Sequence, residues 1–243
     1  VGLLIIVGGI GFIVIHDLLQ YRRTKKLLLH TRIVIVSTVS LILVGMAFTA
    51  VCEWNNPFTL GGLSGTGERL GAAWFHSVSC RTAGFNVFPL EPMHDITKIL
   101  SSLLMFVGAA PGSTGGGIKT ARLIILFKSV RNEVWKMLHP RSVKLARMDG
   151  SILDEGTLYG VNAYMAVYCI IVAVSALLVS FDNFSFETNV TAVFACLNNI
   201  GPGLGLVGPM GNYSAFSDFS KLVLTANMLI GRLEIFPILA LLM

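Results

Sequence analysis

With 243 residues, 54% of them hydrophobic and only 13% charged, the chain carries about half the charge of an ordinary soluble domain, roughly 25%. Twenty-five glycines and a mean hydropathy of +0.75 exclude a disordered chain, and four scattered cysteines exclude a disulfide scaffold. What remains is an integral membrane protein, and the net charge of +5 reads as a basic membrane rim that requires no nucleic acid.

Val1 to Ile15 reads as the inner half of a span, and the chain ends at Leu241-Leu242-Met243 inside another apolar run. The sequence is therefore expected to be part of a longer membrane chain. Ile33 to Val51 and Leu158 to Phe181 are uncharged and near the roughly 20 residues that a helix needs to cross a hydrocarbon core. Ile99 to Val107 is apolar, breaks at Gly108 to Gly117, and resumes at Ile118 to Phe127. Phe219 to Met243 forms the last span, interrupted by Arg232 and Glu234.

Two apolar stretches, Gly71 to Cys80 and Thr188 to Leu197, are too short to cross and predict re-entrant helices. Each runs into a compact turn, Arg81-Thr-Ala-Gly-Phe-Asn86 or Asn199-Ile-Gly-Pro-Gly203. Setting Gly84 on Gly201 gives an offset of 117 residues between the two units. Of 18 Lys and Arg, five lie between Arg22 and Arg32 and eight between Lys119 and Arg147, which places those connections in the cytoplasm. The short helices then enter from outside. Irregular backbone is tolerated at membrane depth only where protein or a water-filled cavity meets it. Carbonyls in such turns can replace the hydration shell of a monovalent cation, helped by the negative C-terminal end of the short helix.

The motifs Ser79-Cys-Arg-Thr-Ala-Gly-Phe-Asn86, Gly112-Ser-Thr-Gly-Gly-Gly-Ile-Lys119, Asn198-Asn-Ile-Gly-Pro-Gly-Leu-Gly205 and Gly231-Arg-Leu-Glu-Ile-Phe236 resemble the Trk/Ktr/HKT potassium transporters. The resemblance runs over almost the whole chain. It implies an all-α membrane protein in which four M1–P–M2 repeats (span, re-entrant pore helix with filter loop, span) surround one pseudo-fourfold pore. Residues 1–17 would end the second-repeat M2 helix, 18–32 would be a cytoplasmic linker, and 33–128 the third repeat with a broken M2. Residues 129–155 would be a second cytoplasmic linker and 156–243 the fourth repeat, truncated at its C-terminus. The resemblance assigns the K⁺ filter to the backbone carbonyls of Thr82, Ala83 and Gly84 and of Asn199, Ile200 and Gly201. It assigns an intramembrane gate to Gly112, Ser113, Thr114, Gly115, Gly116 and Gly117, with Arg232. The implied function is potassium uptake across the cytoplasmic (inner) membrane, with the filter loops outside. No cofactor is expected in this chain beyond K⁺ as the transported ion. The implied partners are membrane lipid, the missing N-terminal half, a second copy in a homodimer, and a cytoplasmic nucleotide-binding ring of the TrkA kind.

Gly112 to Gly117 has a plainer reading as a helix-packing or kink site. Four glycines in six residues favour a true break, since each interior glycine costs a helix about 1 kcal/mol. A nucleotide P-loop is excluded because Ile118 separates Gly117 from Lys119, and Gly203-Leu-Gly-Leu-Val-Gly208 is a weak G-x-G-x-x-G followed by Pro209. Arg232 stands 14 residues past Asp218, about 21 Å of helix, and aligns with Gly115 on the 117-residue offset. Its alternative is a snorkel at the inner interface or neutralisation within its own helix. Glu234, two residues on, lies on another helix face. Lys119 and Arg122 are expected to snorkel at the inner boundary. All five His are expected near membrane edges or loops, and the four Cys are expected as buried small residues. Two rivals to transport are an intramembrane serine protease using Ser113 and a non-conducting scaffold or sensor subunit.

Overall fold

The computed structural model describes residues 1–113, 115–139, 147–148, 151–152 and 154–242. It is helical. Helix α1 (Gly2–Ile10) and α2 (Phe12–Thr24) meet at Gly11, whose φ of 84° turns the chain through 90°. Then come α3 (Leu29–Glu53), α4 (Thr66–Ser79), α5 (Asp95–Phe106) and α6 (Thr120–Leu138). A two-residue antiparallel pair, Arg147–Met148 with Ser151–Ile152, precedes α7 (Glu155–Val179). The chain continues through α8 (Phe186–Leu197), α9 (Asp218–Leu233) and α10 (Ile235–Leu242).

Among the described residues, α3 and the stretch Gly156–Asp182 are long and apolar enough to cross a membrane unaided. The bent pair α1–α2 passes only if taken as one span. Only 28% and 22% of the apolar windows of the two long helices are buried, so most of their apolar surface faces outward. Val36, Leu43 and Val51 on α3, and Ile170 and Leu177 on α7, are exposed. A helix apolar on its exposed face belongs in lipid.

Two like units follow one another, α3–α4–α5/α6 and α7–α8–α9/α10. The first is closed where Gly45 of α3 admits Ser77 of α4, whose hydroxyl donates to the Ile42 carbonyl at 2.9 Å. The units join where α5 packs on α8 and α6 on α7, around a core of Ile118, Tyr164, Tyr168, Leu197 and Ile235. At the loop end of α3 the buried carboxylate of Glu53 accepts from Asn56 Nδ2 (2.7 Å), Thr59 Oγ1 (2.8 Å), Thr97 Oγ1 (2.7 Å) and the His94 amide (2.9 Å). A buried charge is tolerable only when bonded this fully. Here it ties the end of α3, the following loop and the start of α5 together.

Several expectations change. Val1 to Ile15 is two helices, broken at Gly11, whose φ of 84° favours glycine and where a Cβ would lie a tight 3.0 Å from Pro111 O. The last span is likewise two helices, broken at Glu234 with φ 67°. Helix α6 runs on to Leu138, beyond the linker boundary at 128. His76 is buried in α4, bonded to Ser101 Oγ at 2.9 Å, so it is no edge residue. Among the cysteines, Cys80 and Cys196 are buried, Cys52 is half-buried and Cys169 is exposed.

Candidate functional site

Both short helices end in the same backbone figure. After α4, Thr82 and Gly84 take φ of 69° and 76°; after α8, Asn199 and Gly201 take 55° and 101°. A left-handed non-glycine residue is uncommon and costs of order 1–3 kcal/mol, and here it recurs at the matching place in each unit. The amides of Ala83 and Gly84 turn back to the Ser79 carbonyl (3.1 and 3.2 Å), and those of Ile200 and Gly201 to Ala195 (2.9 and 3.5 Å). The helix ends therefore hold the N–H side of both turns. The Gly201 carbonyl accepts from Tyr213 OH at 2.7 Å.

The two turns touch. A side chain on Gly84 would run into the Ile200 carbonyl and come within 2.6 Å of Pro202 Cδ, so only glycine fits. Gly84, Ile200 and Pro202 line one small cavity. Behind them Asn198 is fully buried and accepts from Tyr168 OH at 3.0 Å, while Asn199 Nδ2 donates to the Met228 carbonyl at 3.3 Å. Asn198 and Asn199 thus anchor the turn to α7 and α9.

The glycine-rich stretch leaves the helix altogether. Residues 107–113 and 115–119 are irregular, pinned at their base by the Gly108 amide on the Ile118 carbonyl (3.0 Å) and the Thr120 amide on Ala109 (3.4 Å). Their far part lies against both turns. A Cβ on Gly115 would come within 2.6 Å of Thr82 Oγ1, and one on Gly116 within 2.6 Å of the Asn198 carbonyl. Unsatisfied backbone is costly at membrane depth, and the loop's groups find partners around it. Lys119 Nζ donates to the Gly115 carbonyl at 2.8 Å, and Arg81 Nη2 to Gly108 at 3.3 Å. The Phe12 amide donates to Gly112 (3.3 Å), and the Ala110 amide to Gly9 (3.0 Å), joining the loop to the α1–α2 break. Ser113 Oγ accepts from the Gly115 amide at 3.4 Å. Gly117, with φ 73°, returns the chain towards Ile118, and Thr114 lies outside the described residues.

Arg232 stands exposed in the last turn of α9. Lys119 and Arg122 do not snorkel. Lys119 is only 8% exposed because its ammonium is turned onto the loop. Arg122 pairs with Glu234 at 2.7 Å and stacks 4.2 Å from the Tyr164 ring centroid. Arg81, Lys119, Arg122 and Tyr213 were missed as functional candidates. Arg81 directly precedes the first turn, and its match on the 117-residue offset is Asn198, which is the signal the sequence offers. Among the described residues no group of three His, Cys, Asp or Glu side chains is placed for a metal ion. Against the protease reading, the buried His76 is turned to Ser101 and lies 3.5 Å from Cys80, and the bond that Ser113 Oγ makes is to the Gly115 amide.

Paired re-entrant helices, with their turns meeting over a broken helix, define a pore-helix type of polytopic membrane protein. The TrkH family profile, described as a cation transport protein, matches residues 1–243. The Trk system potassium uptake protein TrkH of Salmonella typhimurium is 35% identical over 173 residues, 71% of this chain and 35% of that protein. Ktr system potassium uptake protein B of Bacillus subtilis is 31% identical over 234 residues, 95% of this chain and 49% of that protein. The crystal structure of the potassium transporter TrkH from Vibrio parahaemolyticus superposes with a TM-score of 0.82 at 25% identity, covering 100% of this chain and 51% of that one. The chain belongs to the TrkH cation transport protein family. It spans about a third to a half of the length of these relatives, which are named as transport proteins and not as enzymes.

Proposed function

We propose that this chain forms two walls of a potassium-uptake pore in the cytoplasmic membrane, with the filter turns facing outside. K⁺ loses its water to carbonyls of Thr82, Ala83 and Gly84 and of Asn199, Ile200 and Gly201. The observation that carries this reading is the repeated left-handed pair at the end of each short helix, in two turns that touch through Gly84 and Ile200. The negative ends of α4 and α8 converge on the same place.

The loop from Gly112 to Gly117 acts as the gate under these turns, and Arg232 adds positive charge at its level. Support comes from the contact of Gly115 and Gly116 with both turns and from Lys119 on the Gly115 carbonyl. The full-length protein works as a homodimer with a TrkA-like nucleotide-binding ring on its cytoplasmic side, in keeping with the family and with the basic residues Arg131 and Lys136 on α6.

The test is potassium uptake by the full-length protein in a transport-deficient host. Growth and K⁺ accumulation at low external potassium are expected. An expressed, membrane-inserted protein that moves no K⁺ would leave the scaffold reading in its place.

A further inference from the structure

Between α5 of the first unit and α8 of the second runs an open groove of about 560 Å³, within the ~300–1,000 Å³ range of small-ligand sites. Its walls are Ile99, Leu103, Phe106, Val190, Phe194 and Leu204. One end is charged: Lys98 Nζ lies 3.5 Å from Glu187 and 3.8 Å from Asp95. Both flanking helices belong to this chain.

We propose that this groove binds an aminophospholipid, with one acyl chain along α5 and α8 and the zwitterionic headgroup on Lys98, Asp95 and Glu187. Depth is the first argument. Helix α5 has 12 residues, about 18 Å, close to half of a ~30 Å hydrocarbon core, so the groove matches one leaflet and is charged only at its boundary end. Charge is the second. The mouth holds one ammonium and two carboxylates, a net negative site that disfavours an anionic headgroup. A phosphate on Lys98 and a primary ammonium on Asp95 and Glu187 complement all three. A primary ammonium brings N–H donors to the carboxylates, which a quaternary choline lacks.

Acyl chains gain nothing from leaving bulk lipid, so selectivity here rests on the headgroup and on van der Waals fit. The site also touches the filter's backing. Leu204 and Thr191 both line the groove, and the Leu204 amide donates to Thr191 Oγ1 at 2.9 Å, directly after the Gly201 turn.

The test uses full-length protein reconstituted in vesicles of equal phosphatidylethanolamine, phosphatidylcholine and phosphatidylglycerol, then delipidated and read by native mass spectrometry. Retention of phosphatidylethanolamine several-fold above the other two is expected. Val190→Trp, which fills the groove, should abolish that excess, and Glu187→Gln at the partly exposed mouth should lower it towards the phosphatidylcholine level. Should Val190→Trp not fold, Glu187→Gln and Lys98→Gln still decide the matter. Equal retention of all three lipids, a phosphatidylglycerol preference, or retention untouched by the variants overturns the proposal. Dissociation of a dimer by Val190→Trp without change in bound lipid assigns the groove to a second copy and also overturns it.

Discussion

Lys119 places its ammonium on the Gly115 carbonyl at 2.8 Å from within a buried setting, and a hydrogen bond of this charged kind contributes about 1.5–3 kcal/mol. Each ~1.4 kcal/mol is a factor of ten in an equilibrium. Lys119→Met keeps the stem and removes the bond, so roughly tenfold more open loop and a matching rise in rubidium tracer flux are expected from the full-length protein. Arg232→Ala should raise flux as well, more so without the regulator, since the barrier proposed at the level of the loop loses a positive charge. Unchanged flux in both folded variants would remove the loop from the gate. The two turn glycines differ in what a side chain would meet. At Gly84 it strikes Ile200 and Pro202, whereas at Gly201 no atom lies within 4 Å and only the φ of 101° is strained. Both serine variants should lose discrimination of K⁺ from Na⁺, and Gly84→Ser should also lower the folded yield. Selectivity intact in both variants, measured in proteoliposomes, would place the filter elsewhere.

Regular helix breaks at Gly11, at the glycine-rich loop and at Glu234, for two different local reasons. Gly11 and the glycine-rich loop break together, because the Phe12 amide reaches the Gly112 carbonyl and the Ala110 amide reaches Gly9. The α9–α10 break has no glycine or proline at its centre. Glu234 holds a φ of 67° with its carboxylate on Arg122, an ion pair whose side chains are 25% and 37% exposed. A double-mutant cycle of Arg122→Ala and Glu234→Ala, read by thermal unfolding of the solubilised protein, should give a coupling of about 1 kcal/mol, within the range for contacting partners. Additive effects would mean that the break stands without the pair. The re-entrant helices and the glycine loop were legible from sequence because length and composition report them locally. The breaks at Gly11 and Glu234 were not. Gly8, Gly9 and Gly11 have the look of ordinary membrane-helix glycines, and nothing near Glu234 names a partner on α6. The roles of Lys119 and Arg122 were hidden for the same reason: a cation near an interface suggests snorkelling until the acceptor that folding supplies is known.

The basic residues of α6 are where a cytoplasmic partner is expected to dock. Arg131 and Lys136 lie on the described part of that helix, while Arg141 falls outside the described residues. Lys136 is paired within its own helix to Glu133 at 3.0 Å, so reversing Arg131 should weaken partner binding more than reversing Lys136. The loss should shrink at high salt, where charges more than a few ångströms apart are screened. Undiminished co-purification of the partner would leave membrane orientation as the only role of these charges. Arg81 and Asn198 hold matching positions on the 117-residue offset. A pore assembled from identical subunits must repeat every substitution around its axis. Here the two like units lie in one chain, so one carries a guanidinium where the other carries an amide, and both positions meet the ends of the same loop. Single residues can therefore differ between the units, and mutation is free to retune each one separately.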